Sequence, residues 1–322
     1  MKNKEKKFLV ILVIISIVLI FLEQILLFLA NKKVNISDIT QNEIIIGTCD
    51  VYGKGVVITL DDKKNIISQE KLLVLLNECK NSGSEVLSVN DIRITANTYI
   101  FYNENTIEID GIKTNNPYII KAIGDPDLLY SSLARNKGNL NSLQDNGINV
   151  TIEKNDNIKI PKTKKELFYS CLNNINNLDK LNNSDRLSGR KSLYGKGIKI
   201  YFNSSSISSL LLLEIINDLN YANCFAIEIN GNRILSNTDI MDISQKYILL
   251  NSIPLSDEFT ISAIGDPSSI MNVINNENSI FNKLYNNNVN IYIEKKYFFK
   301  IKKYEQSRGQ NKLNILYATP LT

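Results

Sequence analysis

The aspartate of a repeated pentapeptide is the residue best placed to do chemistry. The sequence Ala-Ile-Gly-Asp-Pro occurs at residues 122–126 and again at residues 263–267. A carboxylate can accept hydrogen bonds from the free N–H groups that begin a helix, proline suits the first helical position, and a glycine with positive φ lets the chain turn sharply out of a strand. The pentapeptide therefore predicts two strand-to-helix corners, and an anion site at each helix start is the alternative, which the carboxylate disfavours. The corner residues are Gly124, Asp125, Pro126, Gly265, Asp266 and Pro267.

Residue types that usually carry out catalysis are scarce elsewhere. The chain has no histidine, which excludes Ser-His and Cys-His nucleophilic pairs and the usual zinc ligand sets. Its four cysteines include no C-x-x-C pair, so a metal knuckle or a dithiol redox motif is not predicted. Asp61 and Asp62 resemble a paired carboxylate, but Asn203 and Ser204 stand at the matching positions of the second half. We predict no catalytic residue, no cofactor and no metal site, and therefore a protein that is not an enzyme.

Two arginines are the remaining candidates for a functional role. Arg93 and Arg233 occupy matching positions in the two halves of the chain. Each is expected either to pair with a carboxylate within a sheet or to face a partner, and the sequence leaves both interpretations open. The Gly-Lys-Gly sequences at 53–55 and 195–197 are too short for a phosphate-binding loop and predict a turn that leads into a strand.

The charge of the chain is too balanced to indicate nucleic acid as a partner. The 322 residues include 37 basic and 33 acidic side chains, which give a formal net charge of +4. A basic stretch with aromatic residues at 295–312 predicts a hairpin strand with snorkelling lysines, and contact with anionic lipid or cell-wall polymer is the alternative. Polar segments are rich in asparagine, which we attribute to biased base composition and to turns.

Residues 8–30 form a long apolar run. About 20 apolar residues are enough for a helix to cross a bilayer, and four lysines precede the run. The positive-inside rule then predicts a cytoplasmic N-terminus and an extracytoplasmic remainder. A cleaved signal peptide is the alternative, but Phe28 stands where a small residue is needed before Ala30. We predict an uncleaved single-pass anchor in the cell membrane.

Five short sequences recur in the same order at a nearly constant spacing. Gly53 and Gly195 are 142 positions apart, and Asp125 and Asp266 are 141 apart. Such a repeat indicates a tandem duplication of one domain, and its period is too long for a solenoid. The predicted ranges are a cytoplasmic tail and anchor at 1–31, a tether at 32–50, a first α+β unit at 51–162, a partly helical linker at 163–191 and a second α+β unit at 192–322.

Both units predict the same order of elements, namely strand, helix, strands, helix and strands. In the first unit Ser68 is expected to cap a helix whose apolar stripe begins at Leu72 and ends at Cys79. One antiparallel or mixed sheet with two helices on one face is the simplest arrangement of such elements. The predicted fold class is therefore α+β, with an N-terminal transmembrane helix followed by two tandem ferredoxin-like α/β sandwich units.

At these residues the chain resembles a known family. The sequences GKGVVITLDD, SGSEVLSVNDIRIT, PYIIKAIGDPDLL and NGINVTIEKNDNIKIPK together resemble the bacterial domain-of-unknown-function family 881. Members occur in Gram-positive bacteria and are often labelled division initiation proteins, so the resemblance implies a context of cell division without a mechanism. Members usually have one transmembrane helix, a coiled coil and one such domain. This chain departs from that pattern, because the coiled coil is missing and the domain is doubled.

These observations together predict a non-enzymatic scaffold or interaction protein. We expect it to be anchored in the membrane by its single helix and to act outside the cytoplasm, in cell division or envelope assembly. Its expected partners are another protein or a second copy of itself, because ferredoxin-like sheets have open edges. A small-ligand sensor with its site between the two units is the alternative, and an envelope enzyme that uses carboxylates is a third hypothesis.

Overall fold

The structure is a computed structural model that falls into two compact units. It describes residues 16, 18–25, 41–103, 106–165, 185–203, 207–244, 247–287, 289–305 and 315–320. The first unit is Met1–Gln41, and the second is Asn42–Thr322. Both halves of the duplication therefore belong to the second unit. The helix predicted for the first half of the linker falls mostly on residues 166–184, which lie outside the described residues.

The predicted transmembrane helix is contradicted by the structure. No helix formed by the described residues is both long enough and apolar enough to cross a membrane. Within the predicted span only residues 16 and 18–25 are described, and they are helical. The prediction of a single-pass protein in the cell membrane, with a cytoplasmic N-terminus and an extracytoplasmic bulk, is corrected accordingly, and the other residues of the run lie outside the described ones.

The two repeats contain the same helices and strands in the same order. The first repeat consists of β1 (Val51–Asp61), α1 (Gln69–Asn81), β2 (Val86–Val89), β3 (Ile92–Ile94), β4 (Ile100–Asn103), β5 (Thr106–Ile109), β6 (Ile112–Thr114), β7 (Tyr118–Ile123), α2 (Pro126–Leu133), α3 (Asn139–Asp145) and β8 (Asn149–Ile160). The second consists of β9 (Leu193–Asn203), α4 (Ser209–Tyr221), β10 (Ala226–Ile229), β11 (Asn232–Arg233), β12 (Ile240–Ser244), β13 (Tyr247–Leu250), β14 (Ile253–Leu255), β15 (Glu258–Ile264), α5 (Pro267–Ile274), α6 (Ile280–Asn286) and β16 (Asn290–Ile301). A short last strand, β17 (Thr319–Pro320), follows.

Each repeat is built on one antiparallel sheet. The strand order is β8-β1-β7-β2-β3 in the first repeat and β16-β9-β15-β10-β11 in the second. The strand that follows the first helix thus lies two places from β1 or β9, as in a split β-α-β arrangement. A three-stranded meander, β4-β5-β6 or β12-β13-β14, is inserted before the strand that leads to the second helix. The chain is therefore α+β with antiparallel sheets, and only the membrane helix of the predicted fold class is wrong.

Helix α1 shows why these sequences fold as they do. The Ser68 side chain accepts a hydrogen bond from the N–H of Lys71 at 3.4 Å and so satisfies one free donor at the helix start. Leu72, Leu75 and Cys79 follow at helical spacing and are buried against the sheet. Helix α4 begins in the same way, since Ser208 accepts from the N–H of Leu211. The two repeats bury separate apolar cores, each under the three helices of its own repeat.

The Gly-Lys-Gly sequences lie inside strands and not in turns. The pairing register of β1 with β8 shifts between Gly53 and Gly55, because β8 has one residue more than β1 at this point, as in a β-bulge. A Cβ atom at Gly55 would overlap the carbonyl oxygen of Ala122, and one at Gly197 would overlap that of Ala263. Glycine is required there because the neighbouring strand comes too close for any side chain.

Candidate functional site

The Gly-Asp-Pro sequences stand at the starts of α2 and α5. Asp125 Oδ1 accepts from the N–H groups of Asp127 at 3.0 Å and Leu128 at 3.1 Å. Asp266 Oδ2 accepts from the N–H of Ser269 at 3.0 Å, and its other oxygen pairs with the Lys196 ammonium. The N–H of Leu128 is the main reason that the pKa of Asp125 lies below its usual value, and Lys196 lowers the pKa of Asp266 to about 2. Both carboxylates are thus charged helix caps.

The glycines of these corners are needed for space and not for an unusual backbone angle. Neither Gly124 nor Gly265 has a positive φ, so the conformational reason expected from the sequence is wrong. A Cβ at Gly124 would lie 2.9 Å from the carbonyl oxygen of Gly83, and one at Gly265 would lie 3.3 Å from Cα of Cys224. The second helix of each repeat therefore starts in close contact with the chain that leaves the first helix.

The two matching arginines are buried and contact the backbone. Arg93 is 2% exposed and donates to the carbonyl oxygen of Ile44 at 2.7 Å, while Arg233 is 1% exposed and donates to that of Arg186 at 3.1 Å. Burial lowers the pKa of each guanidinium to about 10. Each arginine holds the helical residues that precede its repeat against the outer side of the sheet, and neither forms an ion pair within 4 Å among the described residues.

The acidic side chains that resemble a catalytic pair point in different directions. Asp62 is buried and accepts from the N–H of Ile67 at 2.7 Å. Asp61 lies 3.5 Å from the Lys63 ammonium at the surface. Across the part of the chain that the structure describes, no group of three or more acidic or cysteine side chains is placed to hold a metal ion. Asp61 and Asp62 therefore stabilise a turn, and the arrangement offers no acid-base pair.

An asparagine of each repeat bonds to the backbone of the other repeat, in a contact with pseudo-twofold symmetry. Asn77 on α1 donates to the carbonyl oxygen of Ile240 at 2.6 Å and accepts from its N–H at 3.0 Å. Asn217 on α4 makes the reciprocal pair with Ile100, at 2.9 and 2.8 Å. Each amide therefore completes the backbone hydrogen bonding of a meander strand in the other repeat. The sequence analysis attributed asparagine to compositional bias and did not predict this contact. Asn77 and Asn217 nevertheless stand at the same position of the first helix of their repeats.

A small cavity lies beside this contact. Its volume is about 60 Å³, and its lining includes Asn77, Asn217, Asn220, Thr98 and Leu76. Sites for small molecules usually have volumes of about 300 Å³ or more, whereas one water needs only about 15 Å³. The cavity therefore has room for a few water molecules. It gives no support to the alternative of a metabolite sensor with its site between the repeats.

A groove on the first repeat is the feature with the clearest binding chemistry. We call it the β1 groove and define it by Val51–Gly53, Glu85, Ile123 and Asp125. It lies beside the first residues of β1, beyond the point where β7 ends. Strand β17 fills this position, with Thr319 opposite Tyr52 and Pro320 opposite Val51 in an antiparallel pair. The groove thus holds an extended segment from the far end of the described chain.

Glu85 holds the backbone of the segment that enters the β1 groove. Its Oε1 accepts from the N–H of Leu316 at 2.7 Å. Its Oε2 accepts from the N–H groups of Tyr317 at 2.8 Å and Ala318 at 3.0 Å. Burial raises the pKa of Glu85, and the three N–H groups oppose this shift. One carboxylate therefore satisfies three consecutive backbone donors that no strand satisfies.

Side-chain contacts fix the register of the bound segment. The Tyr317 hydroxyl donates to Asp125 Oδ2 at 3.1 Å, so the strand-to-helix corner also forms one wall of the groove. The Lys54 ammonium lies 5.2 Å from the centre of the Tyr317 ring. Ala318 is buried against an apolar cluster that contains Val51 and Ile123. Backbone bonds, one aromatic residue and one small residue together define what this groove accepts.

Comparison with known families identifies the repeated unit. A family model described as "Bacterial protein of unknown function (DUF881)" matches residues 38–171 and again residues 180–313. The two matches cover most of the chain and agree with the duplication found in the sequence.

The chain spans less than two thirds of the length of the curated relatives it matches. The chain is 32% identical over 143 residues to UPF0749 protein YlxW of Bacillus subtilis (strain 168), which covers 40% of this chain and 62% of that protein. It is 26% identical over 121 residues to UPF0749 protein Rv1825 of Mycobacterium tuberculosis (strain ATCC 25618 / H37Rv), covering 36% of this chain and 41% of that protein. A crystal structure of an uncharacterized conserved protein from Mycobacterium tuberculosis matches with a TM-score of 0.36 and 24% identity, over 38% of this chain and 89% of that one.

Proposed function

Because this chain belongs to the bacterial family of unknown function DUF881 and carries the family's domain twice, we propose that it is a non-enzymatic interaction protein that binds extended polypeptide segments. Binding takes place by addition of a strand beside β1, a mode in which backbone hydrogen bonds supply affinity and side-chain contacts supply specificity. The names of the relatives state no activity. The role in cell division or envelope assembly therefore stays a prediction from the resemblance.

The observation that carries this proposal is the occupied β1 groove. Residues 315–320 cross to the first repeat and bind there through three backbone N–H groups, a strand pair and a tyrosine hydroxyl. None of these contacts depends on the bound segment being part of the same chain. A second segment with the same backbone shape would meet the same donors and acceptors.

The joined repeats also favour an interaction role over catalysis. The reciprocal bonds of Asn77 and Asn217 make one compact body from two domains. The buried carboxylates have structural partners, such as the N–H groups held by Glu85 and the helix start held by Asp218. A single compact unit with a sheet edge that binds an added strand suits a protein that binds other polypeptides.

The test frees the β1 groove and offers the segment in trans. A chain that ends at residue 314 is mixed with a fluorescent peptide carrying the sequence of residues 313–322, and binding is followed by fluorescence anisotropy. We expect saturable binding to the shortened chain and at least tenfold weaker binding to the full chain, whose own segment occupies the groove. Circular dichroism checks that the shortened chain is folded.

A matched pair of variants shows whether the groove is responsible. In the shortened chain, Glu85→Ala removes the acceptor of three N–H groups and is expected to weaken peptide binding at least tenfold, since each bond to a charged group contributes about 1.5–3 kcal/mol. Glu277→Ala, at an exposed site of the second repeat, should leave binding unchanged. A folded shortened chain that binds no peptide, or that binds equally well without Glu85, would refute the proposal.

A further inference from the structure

The second repeat contains a groove equivalent to the β1 groove. We call it the β9 groove and define it by Leu193–Gly195, Phe225, Ile264 and Phe299. The pairing registers establish the equivalence, because Leu193 lies opposite Ile301 in the second sheet as Val51 lies opposite Ile160 in the first. The N–H of Phe225 bonds to the carbonyl oxygen of Ile264 at 2.8 Å, just as that of Glu85 bonds to Ile123.

No strand among the described residues fills the β9 groove. A Cβ added at Gly53 would overlap the carbonyl oxygen of Tyr317, whereas one at Gly195 would meet a single atom within 4 Å, Ile264 Cγ2 at 2.8 Å. Val51 is fully buried under the bound segment, but Leu193 at the same position is partly exposed. Phe225 and Phe299 are partly exposed as well. The apolar walls of the groove are therefore uncovered in the described structure.

The β9 groove has a different chemistry from its occupied counterpart. Phe225 replaces Glu85, so the acceptor of three N–H groups is absent and an aromatic surface takes its place. Lys300 lies on β16, which pairs with the other side of β9, and its ammonium is 5.6 Å from the centre of the Tyr194 ring. Its counterpart in the first repeat, Lys159, pairs with Asp50 at 3.8 Å, and Ser192 stands where Asp50 would be. Lys300 is thus a cation, one strand away from the groove, for which the described residues supply no carboxylate within 4 Å.

We propose that the β9 groove binds an extended apolar segment of a partner protein that carries an acidic residue. This inference rests on the proposed function and names the site and the partner chemistry. An aliphatic or aromatic side chain of the partner packs on Phe225 and Leu193, its backbone adds to β9, and its carboxylate pairs with Lys300. Opposite charges on the two partners favour the correct register and speed association.

Residues 315–320 of a second copy are not the expected occupant. In a second copy, residues 315–320 are held in the β1 groove by Glu85, and the β9 groove offers no such acceptor. Transfer from one groove to the other would therefore lose three hydrogen bonds to a carboxylate. A strand with more apolar surface and one acidic side chain matches the β9 groove better.

The test uses the full chain, in which the β1 groove is already occupied. The probes are three fluorescent peptides, Ile-Leu-Tyr-Ala-Asp-Pro, Ile-Leu-Tyr-Ala-Thr-Pro and Ile-Leu-Tyr-Ala-Lys-Pro, which differ at the position that would lie opposite Tyr194. We expect the aspartate peptide to bind saturably and at least fivefold more tightly than the lysine peptide, with the difference reduced at high salt.

Two variants connect the binding to the groove. Gly195→Ala places a Cβ where the backbone of the added strand must lie. We expect it to weaken binding of the aspartate peptide at least tenfold, with folding checked by circular dichroism. Phe225→Glu introduces the carboxylate that Glu85 supplies in the first repeat. We expect it to strengthen binding of the threonine peptide at least fivefold. The second variant gives an answer even where the first one fails to fold.

The outcomes separate this inference from the proposed function. Absence of binding to the full chain and to its Phe225→Glu variant overturns the β9 site, while binding of the shortened chain at the β1 groove would still stand. Binding that Gly195→Ala leaves unchanged also overturns it. A dimer in analytical ultracentrifugation that Gly195→Ala dissociates would show that a second copy fills the groove, and so would refute a separate partner.

Discussion

Removal of one amide from the contact between the repeats should measurably destabilise the protein. Asn217 is 3% exposed and makes both of its bonds to the backbone of Ile100 in the other repeat. Asn217→Ala leaves a buried N–H and a buried C=O without their partner, and each such group costs about 1–3 kcal/mol. The cavity of about 60 Å³ beside Asn217 gives water access to these groups. We therefore expect the free energy of unfolding to fall by about 2–3 kcal/mol, near the lower end of the range for two such groups.

The pseudo-twofold contact supplies a second, independent measurement. Asn77→Ala removes the matching pair of bonds to Ile240 and should have a similar effect. The double variant removes all four bonds that Asn77 and Asn217 make to the other repeat, so the repeats should begin to unfold separately and two-state behaviour should fail. Urea unfolding followed by far-ultraviolet circular dichroism measures the free energy of unfolding and the number of transitions.

A surface asparagine provides the control for this prediction. Asn146 is exposed and bonds only to the carbonyl oxygen of Ser142 within its own helix end, so Asn146→Ala should change stability by less than about 0.5 kcal/mol. Losses below that value in both Asn77→Ala and Asn217→Ala would refute the reasoning. A double variant that still unfolds in one sharp transition would show that the amides do not join the repeats.

Three further predictions concern the groove, a buried carboxylate and the arginines. Gly53→Ala should expel residues 315–320, because its Cβ overlaps the Tyr317 carbonyl oxygen, and should raise the rate of limited proteolysis of that segment at least tenfold; an unchanged rate would contradict the assignment. Burial raises the pKa of Asp218 above its ordinary value of 3.8, so the stability it contributes is complete below pH 3.8 and is lost as the pH rises through the raised pKa. Asp218→Asn should therefore lose less stability than the unmodified chain between pH 4 and pH 7 in urea titrations, and an equal loss would count against this cause. Arg93→Met and Arg233→Met should each lower stability by about 1–3 kcal/mol, because a buried carbonyl oxygen loses its donor. Unchanged stability with weakened peptide binding would instead assign the arginines to a partner.

Features that depend on neighbouring residues could be predicted from the sequence. Ser68 at the start of α1 and Asp125 before Pro126 act within one helical turn, so residue type and spacing are enough to indicate them. The duplication was also readable, because five matches in one order require no knowledge of the fold, and the family model finds the same two copies.

Features that depend on distant residues could not be predicted in this way. The function of Glu85 is set by residues 316–318, more than 200 positions away in the chain, and its own surroundings in the sequence are those of an ordinary strand start. Asn77 and Asn217 were hidden among many other asparagines, and only their equal position on the two first helices distinguished them. Hydropathy over residues 8–30 predicted a membrane helix from composition, whereas no helix among the described residues is long and apolar enough to cross a membrane.

The β1 groove is synthesised well before the segment that fills it. Strand β17 leaves the ribosome about 160 residues after β8. At roughly 5–20 residues per second, the first repeat waits about 8–30 seconds with its apolar walls uncovered. A nascent chain in that interval presents an unfilled strand position beside β1 to nearby polypeptides, and residues 315–320 must displace any that has bound.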